Sequence, residues 1–109
     1  MEILQEQKVR LSKEEIKAIK ETAVDVFGKD VRVWIFGSRA DLSKKGGDID
    51  IYIEVPIVEE LIKKKLDFLV YLQDKIGEQK IDVIIKPYEC EEDICIEAKN
   101  TGVRIVWKT

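Results

Sequence analysis

Apolar positions along the chain keep two periods, and the change from one to the other marks its elements. Ile16, Ile19, Ala23, Val26 and Phe27 recur at helical spacing; Ser12 and Glu15 form a capping-box pair ahead of them and Gly28 supplies a stop, so a helix is predicted over about 13–27. "VRVWIF", 31–36, is β-branched and aromatic, ends at Gly37 and reads as a strand, after which 38–42 can begin a short helix. From Asp48 to Val55 the period is two: Asp48, Asp50, Tyr52 and Glu54 point one way, and Ile49, Ile51, Ile53 and Val55 the other. A long helix follows Pro56 and runs to about Ile76, with a buried stripe expected at Val58, Leu61, Ile62, Leu66, Leu69, Leu72 and Ile76, and Gly77 ends it. "KIDVIIK" is a third strand with Ile81, Val83 and Ile85 on one face and Asp82, Ile84 and Lys86 on the other. Residues 89–99 read as a helix with acids in its first turn, and 103–107 as a last strand, giving the order αβ(α)βαβαβ.

Length and composition narrow the class. The 109 residues make one domain, 1–109, with a single core of ordinary size. A chain 45% apolar and 38% charged, with a net charge of -3, reads as a soluble globular protein and argues against broad electrostatic capture of nucleic acid. The N-terminal "MEILQEQKVRL" lacks the apolar core of a signal peptide and no apolar run approaches a membrane span, so the expectation is a cytoplasmic protein without membrane attachment. Cys90 and Cys95 fall in the segment read as helix, where they would not share a face, so free thiols are expected. The chain has no histidine, which excludes histidine-based dyads and histidine-zinc sites; catalysis must rest on carboxylates, lysines, hydroxyls or a bound metal.

Aspartate is disfavoured in strands, and two on one face repel unless something positive lies between them. Asp48 and Asp50 are two apart, so their Cα atoms lie roughly 6.5 Å apart with parallel side chains, a geometry suited to divalent cations. Asp82 interrupts another strand and joins them if that strand pairs beside theirs with polar faces aligned. A metal pair spanned by carboxylates is a device for phosphoryl transfer, and a third carboxylate can take the proton of an attacking hydroxyl. Upstream, Gly37 and Ser38 sit where a strand turns toward a possible helix, a place for exposed N–H groups and a phosphate, with Arg39 beside them as a planar fork.

Gly37-Ser38, a spacer, Asp48-Ile49-Asp50 in an apolar setting and a later Asp82 together resemble the nucleotidyltransferase superfamily of DNA polymerase beta. The short chain and "GSRA" are similar to its minimal nucleotidyltransferase branch, the antitoxin partners of HEPN-domain toxins. The resemblance implies an α+β fold, a small mixed β-sheet with helices packed on one face. It implies that Gly37 and Ser38 hold a nucleoside triphosphate, with Arg39 a further phosphate contact, and that Asp48, Asp50 and Asp82 bind two Mg²⁺. It implies transfer of AMP from ATP to a hydroxyl, a tyrosine of a cognate HEPN toxin. Only about two dozen residues follow the strand of Asp82, so a partner is expected to complete the pocket and the isolated chain to bind MgATP weakly.

Two other functions fit the same residues. A binding-only antitoxin would neutralise its partner by occlusion, which retention of all three aspartates argues against. A small-molecule nucleotidyltransferase of the aminoglycoside type would want a second domain for its acceptor. Tyr71 falls on the charged face of the long helix and is a candidate partner contact; Lys63, Lys64 and Lys65 read as solvated surface, and Lys44 and Lys45 as a solvating loop that can steer phosphate.

Overall fold

The capping box at Ser12 closes in both directions, with Glu15 N–H donating to Ser12 Oγ at 3.0 Å and Ser12 N–H donating to Glu15 Oε1 at 2.9 Å, and so fixes where the first helix begins. A computed structural model describes residues 2–3, 9–43 and 46–108; the Lys44-Lys45 pair lies outside them. The elements are β1 (Glu2–Ile3), α1 (Lys13–Phe27), β2 (Arg32–Phe36), a 3₁₀ turn (Gly37–Ala40), β3 (Ile49–Val55), α2 (Leu61–Ile76), β4 (Ile81–Pro87), α3 (Asp93–Thr101), β5 (Val103–Ile105) and β6 (Trp107–Lys108). β1 and β6 form a separate antiparallel ribbon.

The main sheet has the order β4-β3-β2-β5, mixed in direction. β2 is antiparallel to both its neighbours, whereas β3 and β4 run parallel and α2 is the crossover between them. Alternation sends Val33, Ile35, Ile49, Ile51 and Ile53 to one face, where they are fully buried against Ile19 and Ala23 of α1 and Phe68 and Leu72 of α2. Each such side chain contributes about 1.5–3 kcal/mol by leaving water. The fold is α+β, with the two long helices packed on that face.

α3 covers part of the opposite face, over a smaller cluster of Trp34, Tyr52, Cys90, Cys95 and Ala98. The acidic face of β3 is therefore open at Asp48 and Asp50 and closed at Tyr52 and Glu54, which are 0% and 1% exposed.

Two expectations are corrected. The buried stripe of α2 is narrower than its apolar residues suggest. The helix starts at Leu61, Phe68 and Leu72 are its buried residues, and Leu61, Leu69 and Ile76 pack at the margin. Val58, Ile62 and Leu66 are exposed because the chain between Pro56 and Glu60 is not helical and the sheet meets only the side centred on Phe68 and Leu72. Cys90 and Cys95 are not free thiols but a disulfide. α3 begins only at Asp93, so Cys90 lies in the turn before it, where Glu89 adopts a left-handed φ of 59° and brings the two Cα atoms to 5.8 Å, within bridging reach.

Candidate active site

In-register pairing of parallel strands assembles the carboxylates. Asp50 of β3 stands opposite Asp82 of β4, flanked by Ile49 opposite Ile81 and Ile51 opposite Val83. Those apolar neighbours point into the core and lock the register, since a slip of one residue would turn Asp82 inward and Val83 or Ile81 to solvent. Asp48 precedes β3 by one residue and reaches the same side. The loop that delivers Asp82 is anchored by Gln79, whose amide donates to Glu15 Oε2 at 2.8 Å and to the Ile76 carbonyl at 3.3 Å.

The three acids differ in setting. Burial, then the charges of Asp82 and Asp48, and a hydrogen bond shared with Asp82 push the Asp50 carboxyl above its ordinary value. Asp82 is exposed at the sheet edge. Asp48 Oδ2 lies 3.6 Å from Lys80 Nζ, an exposed pair. Among the described residues, the one trio of ligand-type side chains with all donor atoms within 4.8 Å is Cys90, Glu92 and Cys95, whose sulfurs are joined and offer no thiolate. Asp48, Asp50 and Asp82 do not close to that span, and drawing Asp48 inward means parting it from Lys80.

The glycine-serine turn leans directly on this group. Gly37 has a φ of 68°, and a β-carbon there would overlap the Asp50 carboxylate, so both conformation and space require glycine. Ser38 Oγ makes a long 3.5 Å hydrogen bond to the Asp48 carbonyl. Gly47, with a φ of 89°, faces Ser38 Oγ so closely that any side chain would displace it. A hollow of about 730 Å³ opens between this turn and the end of α3, with Gly37, Ser38, Ser43, Glu97 and Thr101 in its walls, within the size range of small-molecule sites.

Arg39 sits differently from a phosphate fork. Its Nη1 donates to the Arg10 carbonyl at 2.8 Å and its Nε to the Gly47 carbonyl at 3.3 Å. Arg10 answers it, donating from Nη2 to the carbonyls of Ser38 and Gly46 at 2.9 and 2.6 Å and from Nε to that of Asp41 at 3.0 Å, while its backbone N–H meets the Arg39 carbonyl at 2.7 Å. The two arginines form a crossed clamp that holds both ends of the loop between Ser38 and Gly47. Sequence reasoning missed Arg10, Lys80, Glu97 and Thr101. Arg10 stands outside any periodic segment, and Lys80 carries no signal beyond its place next to the third strand.

The donor set fits a hard divalent cation: oxygen ligands only, three carboxylates against one exposed lysine, and an Asp50 whose proton affinity is raised first by burial and then by its two acidic neighbours. Tyr71 is half exposed on α2, which packs on the face of the sheet away from the aspartates. No helix among the described residues is long and apolar enough to cross a membrane. Residues 13–105 match the family model described as "Nucleotidyltransferase domain". No curated protein matches the chain.

Proposed function

The chain belongs to the nucleotidyltransferase domain family, and from that premise we propose that it transfers AMP from ATP to a hydroxyl of a protein partner, a tyrosine of a HEPN-domain toxin, as that toxin's antitoxin. Members of this family generally use a nucleoside triphosphate and a divalent metal; here the reading is two Mg²⁺ held by Asp48, Asp50 and Asp82. The observation that carries it is the in-register pairing of Asp50 with Asp82 against the Gly37-Ser38 turn.

Asp48, Asp50 and Asp82 would hold the divalent ions, which when bound would supply positive charge for the triphosphate and the pyrophosphate leaving group. The chain's own residues do the rest. The N–H groups and hydroxyl at Gly37 and Ser38 receive phosphate oxygens, the Arg10–Arg39 clamp fixes that turn, and Asp82, exposed beside Asp50, accepts the proton of the attacking hydroxyl. The acceptor oxygen bonds to the α-phosphorus as the bond to pyrophosphate breaks. Ile62, Leu66 and Val70, exposed at i, i+4 and i+8 on α2, support a protein partner.

The test is transfer of labelled AMP from ATP to a co-expressed HEPN protein, with Asp48→Asn as the control. Label on the partner that disappears with Asp48→Asn is the expected result. Neutralisation of the toxin with no label on it, from the parental chain, would overturn catalysis in favour of occlusion by binding.

A further inference from the structure

Arg32 and Arg104 sit at the end of the sheet remote from the aspartates. In the β2–β5 register Trp34 stands opposite Arg104, so Arg32, two residues before Trp34, is its diagonal neighbour on the same face. Like charges so placed repel, and no salt bridge joins either guanidinium to a carboxylate among the described residues. The acid directly across from Arg32 is Glu54, but its carboxylate is committed elsewhere: Oε2 receives Tyr52 Oη at 2.6 Å and pairs with Lys99 Nζ at 2.8 Å, and Oε1 receives the Glu89 N–H at 3.1 Å.

Both guanidiniums instead lie over aromatic rings. Arg32 lies over Tyr88 with its central carbon 3.8 Å from the ring centroid, and Arg104 over Trp34 at 5.3 Å. Tyr88 is itself anchored, its hydroxyl donating to the Asp30 carbonyl. A ring is no hydrogen-bond partner for the fork, so a cation placed over one keeps N–H donors for an acceptor. Arg32, Tyr88 and Arg104 line a hollow of about 240 Å³ together with Lys29, Asp30 and Trp107. Three cations against one carboxylate leave a surplus of two positive charges in a chain whose net charge is -3.

We propose that this hollow is an anion site for a phosphate group, separate from the candidate active site. A planar carboxylate satisfies one fork, whereas a tetrahedral phosphate dianion presents oxygens to two forks approaching from different strands and matches the double charge. The volume suits a phosphate or pyrophosphate group with little beyond it, so the phosphate is what is recognised, free or as a monoester.

The test is NMR of the full chain, following the arginine Nε–Hε and tryptophan indole signals as inorganic phosphate is added, with sodium chloride at matched ionic strength as control and AMP in a parallel arm for the ester. The expected result is a saturable shift of the Arg32, Arg104 and Trp107 signals with phosphate, with AMP or with both, none with chloride, and at least a tenfold weakening in Arg104→Gln and in Arg32→Gln. Asp50→Asn should leave the response unchanged, which separates this site from the proposed catalytic one. Should Arg32→Gln unfold, the exposed Arg104 carries the test alone. An equal response to chloride, no saturable shift, or undiminished binding in Arg104→Gln would overturn the proposal.

Discussion

Asp50 and Glu54 lie on the same face of one strand, two alternations apart, and have opposite fates. Glu54 is sealed under α3 with every partner it needs. Burial alone would raise its carboxyl, but hydrogen bonds from Lys99, Tyr52 and the Glu89 N–H, with the Lys99 charge, outweigh that and hold it below its ordinary value. Asp50, only partly covered, has two further carboxylates for company and its carboxyl moves the other way. A buried acid with a full set of donors is internal structure; three acids set against one exposed lysine are short of positive charge. What separates them is one helix and one lysine, since α3 brings Lys99 to Glu54 and nothing equivalent to Asp50.

That contrast predicts which substitution disturbs activity and which disturbs the fold. The largest effect belongs to Asp50→Asn: AMP transfer in the labelled-ATP assay should fall by about a thousandfold or more, roughly 4 kcal/mol of transition-state stabilisation, with the circular dichroism spectrum unchanged. Activity near the parental rate would place the chemistry elsewhere. Next, Lys99→Met should lower unfolding free energy in urea by about 3 kcal/mol, because it strands the Glu54 carboxylate in a buried place. A loss under about 1 kcal/mol would mean that Tyr52 and the Glu89 N–H suffice. Tyr52→Phe removes one donor while Lys99 remains, and should lower stability by about 1–2 kcal/mol in the same titration.

The smallest effect separates the two ends by sign. Between the ordinary Asp value of 3.8 and its raised folded value Asp50 binds more protons folded than unfolded, so stability falls as pH rises through that window. Asp50→Asn should therefore stabilise the metal-free chain at neutral pH by up to about 1 kcal/mol, a gain that vanishes below the ordinary value. For Glu54 the order reverses: its contribution is complete above the ordinary 4.5 and is lost as pH falls through the lowered folded value. Thermal melts of Asp50→Asn and Glu54→Gln across acid pH should diverge in these directions, and parallel curves would erase the distinction.

The elements were legible in the sequence because their signals are local. Ser12 with Glu15 marked the start of α1, Gly28 and Gly77 ended two helices, and the isoleucines of β3 announced their own alternation. Asp48, Asp50 and Asp82 were legible as interruptions of apolar strands, and the parallel register brings Asp50 and Asp82 side by side. What escaped depends on contacts distant in sequence. Nothing near Glu54 marks it as covered, since its cover comes from Lys99 and α3. Nothing near Arg10 shows that it grips carbonyls at Ser38, Asp41 and Gly46. The disulfide escapes a helical pattern because α3 begins four residues after Glu89, whose left-handed turn sets where Cys90 points. Ile62 and Leu66 share the apolar side of α2 yet stay exposed, because helical periodicity shows which residues share a side without showing how wide a side the sheet covers.

The β3–β4 pairing also bears on the order of events as the chain folds. Asp50 and Asp82 are joined through the whole of α2, so their meeting closes a loop longer than the hairpin-like approach of β2 to β3 and belongs to the contacts that form slowly. A partly folded chain can already possess α1, β2, β3 and the glycine-serine turn while still lacking the second carboxylate of the pair. If the three aspartates hold a cation as proposed, its binding would read out completed folding and during refolding should emerge with the last kinetic phase, after most of the helical signal has returned.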